Sequence, residues 1–248
     1  MSPPRDLPRW LAVPYAIYAL TAFTVLALGA LILVLPVPGQ ALRRRMVRAA
    51  ARLALAVCFM RLVVLHADRL PETACVVVAN HSSYLDGIVL YAALPPVFGF
   101  VIKREMSRVP LANLLLRRIG AHFVDRDRSQ KTARDTRKLL KQAAAGGALA
   151  FFPEGTFSHT PGLMRFRSGA FVVAARSRLQ VVPVAIRGTR AALPAGTLLP
   201  RPGRIEIEVA PWLPPPASTS EPDVTVTRQA ARQSILARIP EPDLAPDG

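Results

Sequence analysis

An α/β fold is predicted for this chain: a mixed, mostly parallel sheet flanked by helices, led by an N-terminal membrane helix or a two-helix membrane hairpin. Three observations carry that expectation. Beyond residue 70, short apolar runs alternate with helical patterns, the order that builds helix-covered sheets. The runs are nearly continuous Val, Ile, Ala and Phe, as strands buried on both faces require. Residues 10–42 contain no charged side chain at all.

Taken in chain order, the uncharged stretch comes first. As a helix, residues 15–35 would reach about 30 Å, the thickness of a bilayer core. This is too long for the core of a signal peptide, and Pro36, Val37 and Pro38 follow it rather than a small-residue cleavage site, so a retained anchor is expected. Arg43, Arg44, Arg45, Arg48 and Arg52 come next. A basic flank stays on the cytoplasmic side, so the expected location is a bacterial inner membrane with the main domain facing the cytoplasm. In that segment Arg45, Arg48 and Arg52 share a helical face, while Leu53, Leu55, Ala56, Val57, Phe59 and Met60 supply apolar area. This is the pattern of an interfacial helix, or of the second arm of a hairpin. Residues 1–66 are assigned to membrane anchoring.

The main domain is expected over 67–212. Strands are predicted near 75–80, 98–102, 121–124, 148–152, 181–186 and 204–209, and helices near 85–94, 108–119, 129–145 and 168–178. The third of these helices opens at Ser129 and stops at Gly146-Gly147. Residues 213–248 turn to Pro, Ser and Thr and read as an extension, with a short helix around 224–239 and an acidic, proline-bearing end of disordered composition.

Lys and Arg total 32 against 16 acidic residues, a net charge of +16, which calls for anionic surroundings. Nucleic acid is not the expected partner: no helix-turn-helix signature, zinc-finger spacing or aromatic RNA-binding motif accompanies the charge. An anionic membrane surface fits better, because juxtamembrane cations gain about 1 kcal/mol each beside an anionic leaflet. Cys58 and Cys75 sit in apolar runs without a partner motif, so neither a disulfide framework nor a metal site is indicated.

The chemistry is concentrated in Asn80-His81-Ser82-Ser83-Tyr84-Leu85-Asp86, directly after the apolar run 75–79. Histidine can take a proton at neutral pH, and a carboxylate on its other ring nitrogen fixes the tautomer. Five residues along one helix is about 500°, which would hold the two side chains apart. A strand, a turn at 81–83 and a helix starting near Asp86 would let them meet. The plainer reading is a capped helix start, with Asp86 suited to the helix dipole.

Three further blocks fall at predicted strand ends, where open α/β sheets bind ligands. They are Gly120-Ala121-His122-Phe123-Val124-Asp125-Arg126, Phe152-Pro153-Glu154-Gly155-Thr156-Phe157-Ser158 and Val181-Val182-Pro183-Val184-Ala185-Ile186. In this order and spacing, over residues 60–210, the chain resembles the glycerolipid acyltransferase family, best known from the 1-acylglycerol-3-phosphate O-acyltransferases. The resemblance implies that His81 is the general base and Asp86 its partner. It also implies that Arg126, Glu154 and Gly155 bind the acceptor, that Phe123 and Pro153 shape the backbone, and that Pro183 closes the site. Lys103, Thr156, Arg165 and Arg167 join the substrate-binding candidates. The implied donor is acyl-CoA or acyl carrier protein, the implied acceptor a lysophospholipid in the bilayer, and no cofactor is expected. The oxyanion formed in such a transfer needs fixed donors, for which backbone N–H groups of the glycine-containing third block are the candidates.

One position departs from the family pattern. Many members carry Arg after the Gly-Thr of the third block, where this chain has Phe157. Either Arg165 and Arg167 supply that charge, or the acceptor carries another head group, as lyso-ornithine lipid does. A membrane-anchored thioesterase or lipase remains the alternative enzyme, although neither Ser82 nor Ser83 lies in a Gly-x-Ser-x-Gly elbow.

Overall fold

The computed structural model describes residues 8–124 and 129–245. Two long helices, α1 (Arg9–Val34) and α2 (Gln40–Val57), precede a seven-stranded sheet. The strands are β1 (Met60–Leu65), β2 (Cys75–Ala79), β3 (Gly99–Lys103), β4 (His122–Val124), β5 (Leu149–Phe151), β6 (Gln180–Arg187) and β7 (Gly203–Val209). Between them lie α3 (Asp86–Ala93), α4 (Pro110–Arg118), α5 (Ser129–Ala144), α6 (Gly169–Ser177) and the single turn α7 (Thr189–Ala192), and α8 (Glu221–Leu236) follows. The spatial order is β1-β7-β6-β2-β5-β3-β4, with every pair parallel except β6 with β7.

The predicted mixed, mostly parallel sheet is therefore present, and its centre explains its sequence. All five residues of β2 are inaccessible to solvent, because helices cover both faces and leave no room for alternation. One layer packs α3 with Val77, Ala79, Val182 and Ile207. The other packs α6 and α8, through Phe171, Val224 and Ile235, against Val76, Val78 and Val181.

The divisions drawn at 66 and 212 do not follow the packing. β1 lies before residue 66, and it pairs with β7 along its whole length. A short strand after a long helix carries no periodicity of its own, and only the pairing reveals it. At the other end α8 is a core helix, and the tail docks through Pro242 and Leu244. Leu163 N–H donates to Pro242 O at 2.9 Å and Leu244 N–H to Leu163 O at 3.1 Å.

α1 is long and apolar enough to cross a membrane, and Trp10, Val13, Ile17, Val25, Ile32 and Leu33 are exposed along it. It also packs on α2: Tyr15 Oη donates to Cys58 O at 2.6 Å and Tyr18 Oη to Val57 O at 3.1 Å. The arginine face of α2 is turned toward protein, which corrects the interfacial reading. Arg44 Nε donates to Ile119 O at 2.8 Å and its Nη1 to Val97 O at 2.9 Å. Arg48 Nη2 donates to Ala93 O at 3.1 Å and Arg52 Nε to Ala92 O at 2.8 Å. The last two carbonyls end α3, where helix geometry leaves acceptors without partners and the dipole is negative. Arg45, placed on that face from the sequence, is exposed.

Removing Arg48 and Arg52 together strands those carbonyls, so the double Ala variant should lose about 2–4 kcal/mol in denaturant unfolding in detergent. Arg45→Ala should change stability by less than about 0.5 kcal/mol. Equal effects would return the arginines to the lipid interface.

Candidate active site

β2 ends one residue before Asn80, and Asn80 extends the pairing through its side chain. Its Nδ2 donates to Ile186 O at 2.9 Å, and Ile186 N–H donates to its Oδ1 at 2.7 Å. The main chain can then turn away at His81 without orphaning buried backbone groups. The turn covers 81–85 and α3 begins at Asp86, the strand-turn-helix arrangement that lets His81 and Asp86 meet.

Asp86 is completely buried. Its Oδ2 accepts from Ser82 N–H at 2.5 Å, from Ser83 N–H at 2.8 Å and from His81 Nδ1 at 2.9 Å. Burying a carboxylate costs several kcal/mol, which the N–H donors and the positive end of α3 offset. With the proton on Nδ1, His81 presents Nε2 as its basic nitrogen. The imidazole is 19 % exposed. Phe152 stacks on it at 4.5 Å, Phe157 meets it edge-on at 4.6 Å, and Tyr84 meets Phe157 at 4.8 Å.

The serines of the motif are structural. Ser83 Oγ donates to Leu193 O at 2.7 Å, and Ser82 Oγ lies 3.3 Å from Thr189 Oγ1. Thr189 reaches it because Gly188 turns the chain out of β6 with φ +86°, where an added Cβ would lie 2.3 Å from Arg204 O.

Glu154 follows β5 and holds the other side of the histidine. Its Oε1 accepts from His81 N–H at 2.6 Å, and its Oε2 from Met164 N–H at 2.9 Å. The residue is 4 % exposed, and the geometry makes it a positioning group for His81. Gly155, with φ +83°, closes the same turn by donating its N–H to Phe152 O at 3.1 Å. That N–H, a candidate oxyanion donor, is committed to the turn.

The remaining candidates are placed unevenly. Thr156 is exposed on the turn, and Arg165 and Arg167 are exposed on the segment that carries Met164. Arg167 N–H donates to Pro153 O at 2.9 Å. Lys103 ends β3, two strands from β2, with Nζ 3.5 Å from Glu105 Oε1. Arg126 lies outside the described residues. Pro183 does not close the site: it sits within β6 opposite Val78, just before the β6–β7 register begins at Val184, where a missing N–H is tolerated.

One contributor escapes sequence reasoning. Arg232, on α8, is 2 % exposed. It donates through Nε to Met164 O at 3.1 Å and through Nη2 to Leu163 O at 2.9 Å, while Asp243 takes both of its Nη groups. It braces the segment that supplies an N–H to Glu154. Nothing in the local sequence at 232 marks it, since the carbonyls it braces lie 68 and 69 residues away.

Burial pushes the Glu154 carboxyl from its ordinary 4.5 up to about 8, against the opposing pull of the Met164 and His81 N–H groups. The folded state then holds a proton between those pH values that the unfolded chain has released. This contribution to stability is fully present below 4.5 and is lost as the pH rises through about 8. Glu154→Gln should remove that part of the slope in thermal unfolding across the window. An unchanged slope would mean that the carboxyl is ionised in the folded protein.

Against known proteins, the acyltransferase family profile matches residues 61–187, half of the chain. A 1-acyl-sn-glycerol-3-phosphate acyltransferase of Chlamydomonas reinhardtii is 32 % identical over 188 residues, covering 73 % of this chain and 54 % of that protein. One from Saccharomyces cerevisiae is 31 % identical over 125 residues, 49 % of this chain and 41 % of that one. The chain thus spans about half the length of the curated relatives it matches. The crystal structure of the 1-acyl-sn-glycerophosphate acyltransferase PlsC from Thermotoga maritima superposes with a TM-score of 0.74 at 21 % identity, over 93 % of this chain and 98 % of that one, and so shares the fold. His81, Asp86 and Glu154 all fall inside the matched segment, and on that match the chain belongs to the acyltransferase family.

Proposed function

We propose that the protein transfers a fatty acyl group from a thioester, on coenzyme A or acyl carrier protein, to the free hydroxyl of 1-acylglycerol-3-phosphate, giving phosphatidic acid at a membrane. The observation that carries this reading is the half-buried His81 paired with the buried Asp86 at the C-terminal end of β2, with Nε2 left for a substrate hydroxyl. The relatives' names supply the acceptor.

Nε2 takes the hydroxyl proton as the oxygen attacks the thioester carbonyl. A C–O bond forms, the carbonyl electrons move to oxygen, and their return breaks the C–S bond. The imidazolium, stabilised by Asp86, then gives its proton to the departing thiolate. Direct transfer is supported by the state of the nearby nucleophiles. Ser82 and Ser83 are buried with their hydroxyls engaged.

A second acceptor reading is favoured by Phe157, which places an aromatic edge rather than a cation beside His81. Another lysolipid, such as lyso-ornithine lipid, would suit that surface. The exposed apolar face of α1 supports delivery of either lipid from the bilayer.

Thiol release from acyl-CoA by reconstituted protein, with lipid products separated, tests both. Release should require a lysolipid, yield a two-chain product, and fall about 10²–10⁴-fold in His81→Ala and in Asp86→Asn. Phosphatidic acid formed in preference to acylated ornithine lipid supports the first acceptor, and the reverse supports the second. Acceptor-independent release would establish a hydrolase.

A further inference from the structure

The loop from β5 to α6 is closed at its base twice, by the Glu154–Met164 bond and by Arg167 N–H donating to Pro153 O at 2.9 Å. It carries Phe157 onto the edge of the imidazole. Its outgoing arm is held from α7, where Arg190 Nη1 donates to Ser158 O at 3.0 Å and to His159 O at 3.3 Å. Its returning arm, residues 162–164, is held from the C-terminus. The N–H and carbonyl of Leu163 both bond to the tail, through Pro242 and Leu244. Leu244 also covers Gly162 so closely that a Cβ there would lie 2.3 Å from its Cγ.

One peptide unit turns this docking into a constraint on the base. Leu163 O accepts from Arg232 Nη2 at 2.9 Å and from Leu244 N–H at 3.1 Å. Met164 N–H belongs to the same planar trans unit, so it points the opposite way, and it donates to Glu154 Oε2. Fixing the carbonyl therefore aims the N–H. Glu154 passes that placement to His81 N–H through its other oxygen. Arg232 holds the carbonyl because its own fork is fixed: the side chain is buried, and both Nη groups meet the Asp243 carboxylate. Without that counter-charge a buried guanidinium is strongly destabilised and moves toward water.

We propose that residues 242–244 form a strap that positions the base, with Asp243 and Arg232 as positioning residues that act on His81 through the Leu163–Met164 peptide and Glu154. The proposal rests on His81 as the base of the proposed function and goes beyond it by making the C-terminal segment part of the catalytic machinery.

The test compares wild type with Asp243→Ala, Leu244→Ala and a control, Ser220→Ala, as full chains in detergent. Ser220 caps the same helix, α8, by accepting from Asp223 N–H at 3.4 Å, and lies outside the strap. Hydrogen exchange is the first readout. In Asp243→Ala the amides of His81 and Met164 should exchange about tenfold faster or more, while those of Ser82 and Ser83, held by Asp86, stay within about twofold. In turnover kcat should fall about tenfold or more with each KM within about threefold, the mark of a group that acts on the base. Leu244→Ala, a change at an exposed side chain, should give the same pattern at smaller size. Ser220→Ala should lower the unfolding midpoint with kcat within about twofold. Unchanged exchange at His81, equal acceleration at all four amides, or a kcat in Asp243→Ala no lower than in Ser220→Ala overturns the proposal. If Asp243→Ala does not fold, the same outcomes in Leu244→Ala decide. If wild type transfers no acyl group, the proposed function fails, and the exchange pattern still decides for or against the strap.

Discussion

A single carboxylate oxygen, Asp86 Oδ2, gathers the Nδ1 of His81 and the main-chain N–H groups of Ser82 and Ser83, and the geometry of the site follows from that convergence. The two N–H groups fix the turn, the turn fixes the direction in which the imidazole leaves β2, and the imidazole's remaining nitrogen then faces outward. The same carboxylate lies at the positive end of α3, while Arg48 and Arg52 donate to the carbonyls at its negative end. Each such charge contributes about 0.3–1 kcal/mol, too little to account for the fold. Its effect is orientation. A helix gripped at both ends by opposite charges holds its first residue still, and the N-terminal helix pair thereby becomes part of the support of the site.

Glu154 provides the second constraint, along a line that crosses the molecule. His81 N–H, Glu154, Met164, Arg232 and Asp243 are linked in succession by hydrogen bonds or ion pairs, and they join the exit of β2, the turn after β5, the core helix α8 and the C-terminal segment. An acid drawn this deep is expensive to ionise, and burial outweighs the two N–H groups its oxygens accept from, so its protonation shifts upward. Aromatic side chains complete the frame. Phe152 stacks on the imidazole and Phe157 meets it edge-on, which limits its exposure to 19 %.

The sheet was legible because strands buried on both faces need uninterrupted apolar runs, and those at 75–79, 149–151 and 181–186 have no other stable use in so basic a chain. The His81–Asp86 pair was legible for a local reason: five residues across a strand-turn-helix junction need no distant information to meet. β1 was not, because six residues with a burial pattern of one buried and five more accessible positions carry no signal apart from the β7 strand they pair with. The arginines of α2 could be seen as a stripe, but a stripe of charge looks the same whether it faces lipid phosphates or the carbonyls of α3. Arg232 lay in the short helix expected around 224–239 and Asp243 in the end whose composition suggested disorder, and only the docking of the tail on Leu163 gives them a role.

By itself, then, the sequence determined the class of fold, the apolar N-terminal helix, and the base with its carboxylate, since each depends on periodicity or on neighbours in the chain. The tertiary structure decided which groups hold the histidine, which way the arginines of α2 face, and where the C-terminal tail docks. Those outcomes depend on which distant segments pack together. No local pattern encodes the carbonyl, the N–H group or the edge strand that a side chain will meet across the fold.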